Sequence, residues 1–205
     1  MNQDHFRGAQ VFVLLGRTGS GKSTIGKEVY KKLGLQLISI GELARVEIAN
    51  KTRRGKYFEA LFNDGKQVPD EMVIEMIEQK LISSPNKFKR GFILDNFPNS
   101  MKQVNLFNEF IRKHHLQINT VFHTCVSREV SFKRRNAEKR GYWDSSEKRE
   151  RLFQANLVPV LLHFKKKKLL RTLYTEKPIK ESVIKIKKEH AKLARIRRIK
   201  SRRLF

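Results

Sequence analysis

An apolar run at residues 11–15, Val-Phe-Val-Leu-Leu, passes without a spacer into Gly16-Arg17-Thr18-Gly19-Ser20-Gly21-Lys22-Ser23. A helix-forming stretch follows over residues 24–33 and closes at Gly34. Few local patterns restrict a fold so tightly. A short strand that is apolar on both faces belongs inside a parallel, helix-covered sheet. A G-x-x-x-x-G-K-[ST] turn between such a strand and a helix wraps backbone N–H groups around phosphates, and the helix N-terminus behind it favours anions. In a loop of this kind Lys22 reaches the β- and γ-phosphates, and Ser23 offers its hydroxyl to Mg²⁺. Gly16 to Ser23, with Thr24 on the first helical turn, is therefore expected to hold a nucleoside triphosphate.

The alternation continues along the chain. Residues 35–40, 91–95 and 120–124 read as further strands, and residues 102–113 and 128–138 as helices. Between residues 42 and 61 the chain is polar and helix-prone, ending in the turn Asn63-Asp64-Gly65. Pro69-Asp70 then opens a helix with Met72, Val73, Met76, Ile77 and Leu81 at helical spacing. This βα order predicts one compact α/β domain with a parallel sheet. No run approaches the roughly 18 apolar residues of a membrane helix, and residues 1–8 carry neither an apolar signal core nor an Arg-rich amphipathic pattern. The single cysteine, Cys125, excludes an internal disulfide, and His114, His115, His123 and His163 lack metal-ligand spacing. A reducing compartment is expected, the cytoplasm by default, with an organelle matrix left open.

Beyond the loop, the sequence resembles the nucleoside monophosphate kinases, adenylate kinase most closely. Ser39-Ile40-Gly41-Glu42-Leu43-Ala44-Arg45 is similar to the family's S-T-G-D-x-x-R segment, which puts Arg45 on the arginine aimed at the AMP phosphate. Gly55-Lys56 through Gly65-Lys66-Gln67-Val68-Pro69-Asp70 resembles the helical monophosphate-binding insert, with Val68 on the residue that packs against adenine. Gly91-Phe92-Ile93-Leu94-Asp95-Asn96-Phe97-Pro98-Asn99 through Gln103 is similar to G-F-x-L-D-G-F-P-R-T-x-x-Q; Asp95 falls on the acid that holds Mg²⁺ through water, and Gln103 on the glutamine that reads the adenine edge. Pro159-Val160 with Phe164-Lys165-Lys166-Lys167, and then residues 175–188, resemble the closing region. The resemblance implies a three-layer P-loop kinase fold, α/β, with a five-stranded parallel sheet. It also implies a monophosphate-binding insert at about residues 40–69, a short lid at about 135–148, and the reaction ATP + AMP ⇌ 2 ADP with Mg²⁺. The kinase-like domain spans residues 9–188.

The departures gather around the expected monophosphate site. Asn99 stands where the family has an arginine, and an amide supplies neither charge nor a bidentate fork. Ile40 removes the threonine hydroxyl of S-T-G, and Asn96 replaces a glycine. In the lid, Arg134 fits the first hinge arginine, Arg140-Gly141-Tyr142-Trp143-Asp144 resembles a shifted R-x-D-D, and Arg149 or Arg151 takes the arginine of the next helix. Lys22, Arg134, Arg140 and Arg149 are the expected catalytic cations.

Charge adds a second theme. The net charge is +25, and residues 165–205 hold 17 Lys and Arg against three acids. Residues 189–205 form a basic helical tail with Leu193, Ile196 and Ile199 in a narrow apolar stripe. Such a segment suits a polyanion, RNA above all, although an anionic membrane or a protein groove also accommodates it. Two readings stay open. One is an active monophosphate kinase; the other is a catalytically silent, ATP-binding module of a ribonucleoprotein such as a ribosome, held through residues 189–205.

Overall fold

The computed structural model describes residues 6, 8–137 and 147–202. Strand β1 (Gln10–Leu15) lies at the centre of the sheet and is buried along its whole length. It is followed by α1 (Lys22–Leu33), β2 (Gln36–Ser39), α2 (Ile40–Ala49), α3 (Arg53–Asn63) and α4 (Asp70–Ser83). A 3-10 turn at Pro85–Phe88 leads into β3 (Gly91–Asp95), then α5 (Met101–Lys113), β4 (Ile118–Cys125) and α6 (Arg128–Ala137). Helix α7 (Glu147–Lys166), β5 (Leu170–Tyr174) and α8 (Ile179–Arg202) complete the described chain. The strand order is β2-β3-β1-β4-β5, and every neighbouring pair is parallel. The expected five-stranded parallel sheet is thus the observed one.

Alternation along β1 builds three layers, since successive side chains point to opposite faces. Val11, Val13 and Leu15 join one core with Phe92, Leu94, Phe107, Leu157 and Val160. Phe12 and Leu14 join the other with Ile25 and Val29 of α1 and Val183 and Ile186 of α8. The register aligns Leu14 with Asp95 and Asp95 with Ser39, so the loop after β1, the acid ending β3 and the end of β2 meet at one edge of the sheet.

Two local features add detail that the sequence reading lacks. The helix-prone stretch over 42–61 forms two helices, α2 and α3. Thr52 breaks it: its Oγ1 accepts the Gly55 N–H at 2.9 Å, capping α3, and donates to Glu47 Oε2 at 2.6 Å. Arg54 also bonds Glu47, and these two donors hold the Glu47 carboxyl below its usual range, Arg54 contributing most. The corner closes tightly because Gly55 has no side chain; a Cβ there would run into the Glu47 carbonyl. The second is towards the C-terminus, where α8 runs unbroken through residue 189. Gln10 Nε2 donates to the His190 carbonyl at 3.4 Å, and Leu193 packs against the α1/α8 core. Of the apolar stripe, Ile196 and Ile199 are left exposed. Among the described residues, no helix is long and apolar enough to cross a membrane.

Candidate nucleotide site

The loop after β1 takes its shape from its glycines and from β4. Gly16 has φ +150°, and a Cβ there would run into Thr124 Oγ1. A polar relay fixes the turn. Lys22 Nζ donates to the Gly16 and Arg17 carbonyls at 2.7 and 2.9 Å. Ser20 and Thr124 hydroxyls meet at 2.7 Å, and Thr124 in turn donates to the Leu15 carbonyl at 3.0 Å. From outside, Ser131 Oγ of α6 donates to the Thr18 carbonyl at 2.7 Å. Lys22 is thereby nearly buried, 8% exposed, with its ammonium held by the loop's own carbonyls. Its charge and that of Arg17, added to burial as the larger cause, push the His123 imidazole pKa down, and burial pushes the Cys125 thiol up.

Ser23 Oγ donates to Asp95 Oδ2 at 2.7 Å, joining the loop to the end of β3. The other carboxylate oxygen, Oδ1, is buried and has no hydrogen-bond partner among the described residues. A hydroxyl and an unsatisfied carboxylate side by side form the hard oxygen donor set that Mg²⁺ takes.

A single cleft runs from this loop to the residues expected at the monophosphate site. Its walls include Lys22, Ser23 and Asp95 together with Ile40, Arg45, Val68, Asn96, Asn99 and Gln103. Arg45 is exposed on α2, its guanidinium lying over Gly41. Val68, with Phe62 and Val73, makes the apolar side. Asn96 has φ +65°, the left-handed region where glycine fits best and asparagine is the next most tolerant residue. Its N–H donates to the Leu14 carbonyl at 2.8 Å. Asn99 turns inward on its own loop: Nδ2 donates to the Asn96 carbonyl at 2.9 Å, while Oδ1 is buried without a partner among the described residues. Gln103 is 3% exposed and partly committed; Oε1 accepts the Asn99 N–H at 2.8 Å, and Nε2 donates to Asp70 Oδ1 at 2.7 Å. One amide hydrogen and one lone pair of Gln103 remain for a ligand. Lys102 faces away, paired with Glu71 on the surface at 2.6 Å.

The lid cations divide. Arg134 reaches the loop: Nη2 donates to the Thr175 carbonyl at 2.9 Å, and Nη1 lies 4.0 Å from where a Gly21 Cβ would stand. Arg140 lies outside the described residues, as does most of the expected lid. Arg149 is on the first turn of α7, its side chain also outside them. Two residues escaped the sequence reading. Phe153 of α7 lines the cleft at 8% exposure. Arg135 packs its stem against Gly19, sits 5.7 Å from the Phe132 ring centre, and has buried Nε and Nη1 with no partner among the described residues. The adjacent pair Arg134-Arg135 was the available signal, and only the helix phase separates their roles.

A five-stranded parallel sheet in this order, with a glycine-rich phosphate loop leaving the central strand and an acid ending its neighbour, defines a P-loop kinase fold. The adenylate kinase family model matches residues 14–169. The chain belongs to the adenylate kinase family. It is 27% identical over 180 residues to adenylate kinase isoenzyme 1 of Cyprinus carpio, a match covering 87% of this chain and 92% of that protein. It is 35% identical over 122 residues to an adenylate kinase of Finegoldia magna and 34% identical over 122 residues to one of Archaeoglobus fulgidus. Those two matches take in 60% of this chain and only 56% and 55% of the relatives' length.

Proposed function

We propose that the chain transfers a phosphoryl group from ATP to a nucleoside monophosphate, with AMP as the acceptor. The observation that carries this reading is the single cleft that the Lys22 loop and the bonded Ser23–Asp95 pair share with Arg45, Val68 and Gln103. Two polyanions bound end to end in such a cleft bring donor and acceptor phosphates together, which is most of what phosphoryl transfer requires of a protein. Lys22 exchanges its carbonyl partners for phosphate oxygens, Arg134 adds a cation beside Gly21, and Arg45 binds the acceptor phosphate. Arg140 and Arg149 are the proposed cations of the closing lid. Val68 packs the acceptor base, and the free half of the Gln103 amide reads its edge. Ser23 and Asp95 would hold Mg²⁺, which when bound offsets the charge of the transferred phosphates. The insert at residues 40–69 and the lid at 135–148 are proposed to close over the ligands and exclude water.

A second reading rests on Asn99. Its neutral side chain bonds the Asn96 carbonyl where the family places an arginine, and a transition-state arginine is worth about 10³–10⁵ in rate. In that reading the chain keeps ATP and acts as a silent module of a ribonucleoprotein.

ADP formation from Mg·ATP with AMP, CMP, UMP and GMP supplied separately tests both. Turnover is expected with AMP and should fall by at least about 10²-fold in Lys22→Ala. ATP binding without turnover in the native chain overturns the kinase reading. Activity confined to Asn99→Arg identifies the neutral side chain as the cause.

A further inference from the structure

Because all five strands are parallel, their starts share one rim of the sheet, opposite the nucleotide cleft. The register shows it: Gln10 pairs with Gly91, Val11 with Ile118, Gln36 with Phe92 and Val121 with Leu170. Every helix that feeds a strand ends at that rim, and each brings exposed cations. Lys31 and Lys32 close α1, Lys87, Lys89 and Arg90 precede β3, and Arg112 and Lys113 close α5. Lys165 and Lys166 close α7, Lys167 and Lys168 follow in the turn before β5, and all four are exposed. Helix α8 reaches the rim where His190 meets Gln10 and continues beyond it with Lys192 and Arg195 exposed. Three of the acids nearby are already paired: Glu28 with Lys31, Glu78 with Lys113 and Glu189 with Arg171.

Within the rim lies a shallow depression lined by Tyr30, Lys31, Lys32, Lys87, Lys89 and Arg90, together with Gln36 and Asn86. Tyr30 is 47% exposed there. An aromatic face among cations is a stacking platform for an unpaired base, with phosphates on the lysines. Gln36 and Asn86 are residue types whose amides can both donate to and accept from a 2′-hydroxyl.

We infer that this rim, with the protruding end of α8, is a binding surface for single-stranded RNA, separate from the nucleotide cleft. An anionic membrane suits it less well. A membrane-surface helix needs a broad apolar face, whereas the described part of α8 beyond the rim exposes only Ile196 and Ile199 as large apolar residues. The inference stands whether or not the chain turns over nucleotide.

Fluorescence anisotropy with a labelled 15-nucleotide oligouridine, titrated over a range of salt, tests it on the full chain. Binding is expected to be salt-dependent, tighter than to oligothymidine DNA of equal length, and unchanged by saturating Mg·ATP. The triple variant Lys87→Gln, Lys89→Gln, Arg90→Gln should lose at least about tenfold in affinity and about 2 units of salt slope, as three lost phosphate contacts require. Tyr30→Ala should weaken binding about tenfold with the slope intact. All four positions are exposed, and circular dichroism and ATP affinity confirm that the variants fold. Competition by ATP places the RNA in the cleft and overturns the inference. So does equal binding to the DNA, tighter binding to phosphatidylserine vesicles, or full RNA binding by the triple variant.

Discussion

At Asn96 a single torsion decides which side chains are allowed. Its φ of +65° and its backbone bond to the Leu14 carbonyl fix the turn between β3 and the Asn99 loop. The side-chain oxygen is buried without a partner among the described residues, so the amide contributes little beyond tolerance of that torsion. Asn96→Gly is expected to change stability by less than about 0.5 kcal/mol, while Asn96→Ala should cost about 1–2 kcal/mol. Urea denaturation compares the two; a larger loss in the glycine variant would assign the work to the side chain. The replacement of the family glycine is therefore mild for the backbone, whereas Asn99 changes charge. The sequence displays both substitutions alike, and only the torsion and the inward hydrogen bond separate them.

Elements differ in how openly the sequence declares them. Residues 91–95 read as a strand and form one with the same bounds, because an apolar run between a glycine and a proline-bearing loop has no competing pattern. The α2–α3 corner was hidden. Its signal is a capping threonine within a polar stretch that suits one long helix equally well, and the tight contact between Gly55 and the Glu47 carbonyl is a tertiary fact. Gly55→Ala should force these two helices apart and cost about 1–3 kcal/mol. Its effect on AMP affinity should exceed its effect on ATP affinity, because Arg45 lies on α2 and the Lys22 loop does not touch the corner. Paired binding titrations check this; equal losses would mean that the corner does not position Arg45. Phe153 was invisible for the opposite reason. An aromatic on a helix carries no mark that distinguishes a cleft wall from ordinary core.

For the whole molecule, the fold and the loop were legible because local pattern and global topology agree, while the rim was not, since its cations come from five separate stretches of chain. Three histidines give the assembled domain a common response to acid. Burial is the largest cause holding His114, His123 and His163 below the ordinary imidazole value of 6.5, helped by Lys113, by Lys22 and Arg17, and by Lys167 respectively. The unfolded chain therefore takes up protons first as pH falls. Stability is complete above about pH 6.5 and declines as pH drops through the lowered folded values. Urea midpoints at pH 7.5, 6.5 and 5.5 should fall in that order, and His123→Gln should flatten part of the decline; a midpoint that holds steady to pH 5.5 would contradict the burial seen here.

Helix α8 runs for 24 residues, about 36 Å at helical rise, from just beyond the Thr175 carbonyl that holds Arg134 to past the opposite rim. It makes the domain a handle with a mouth at the far end. A chain gripped by its basic end would point its cleft outward, leaving small nucleotides free to come and go. Immobilised on RNA-coated beads, it should show the same nucleotide KM as in free solution.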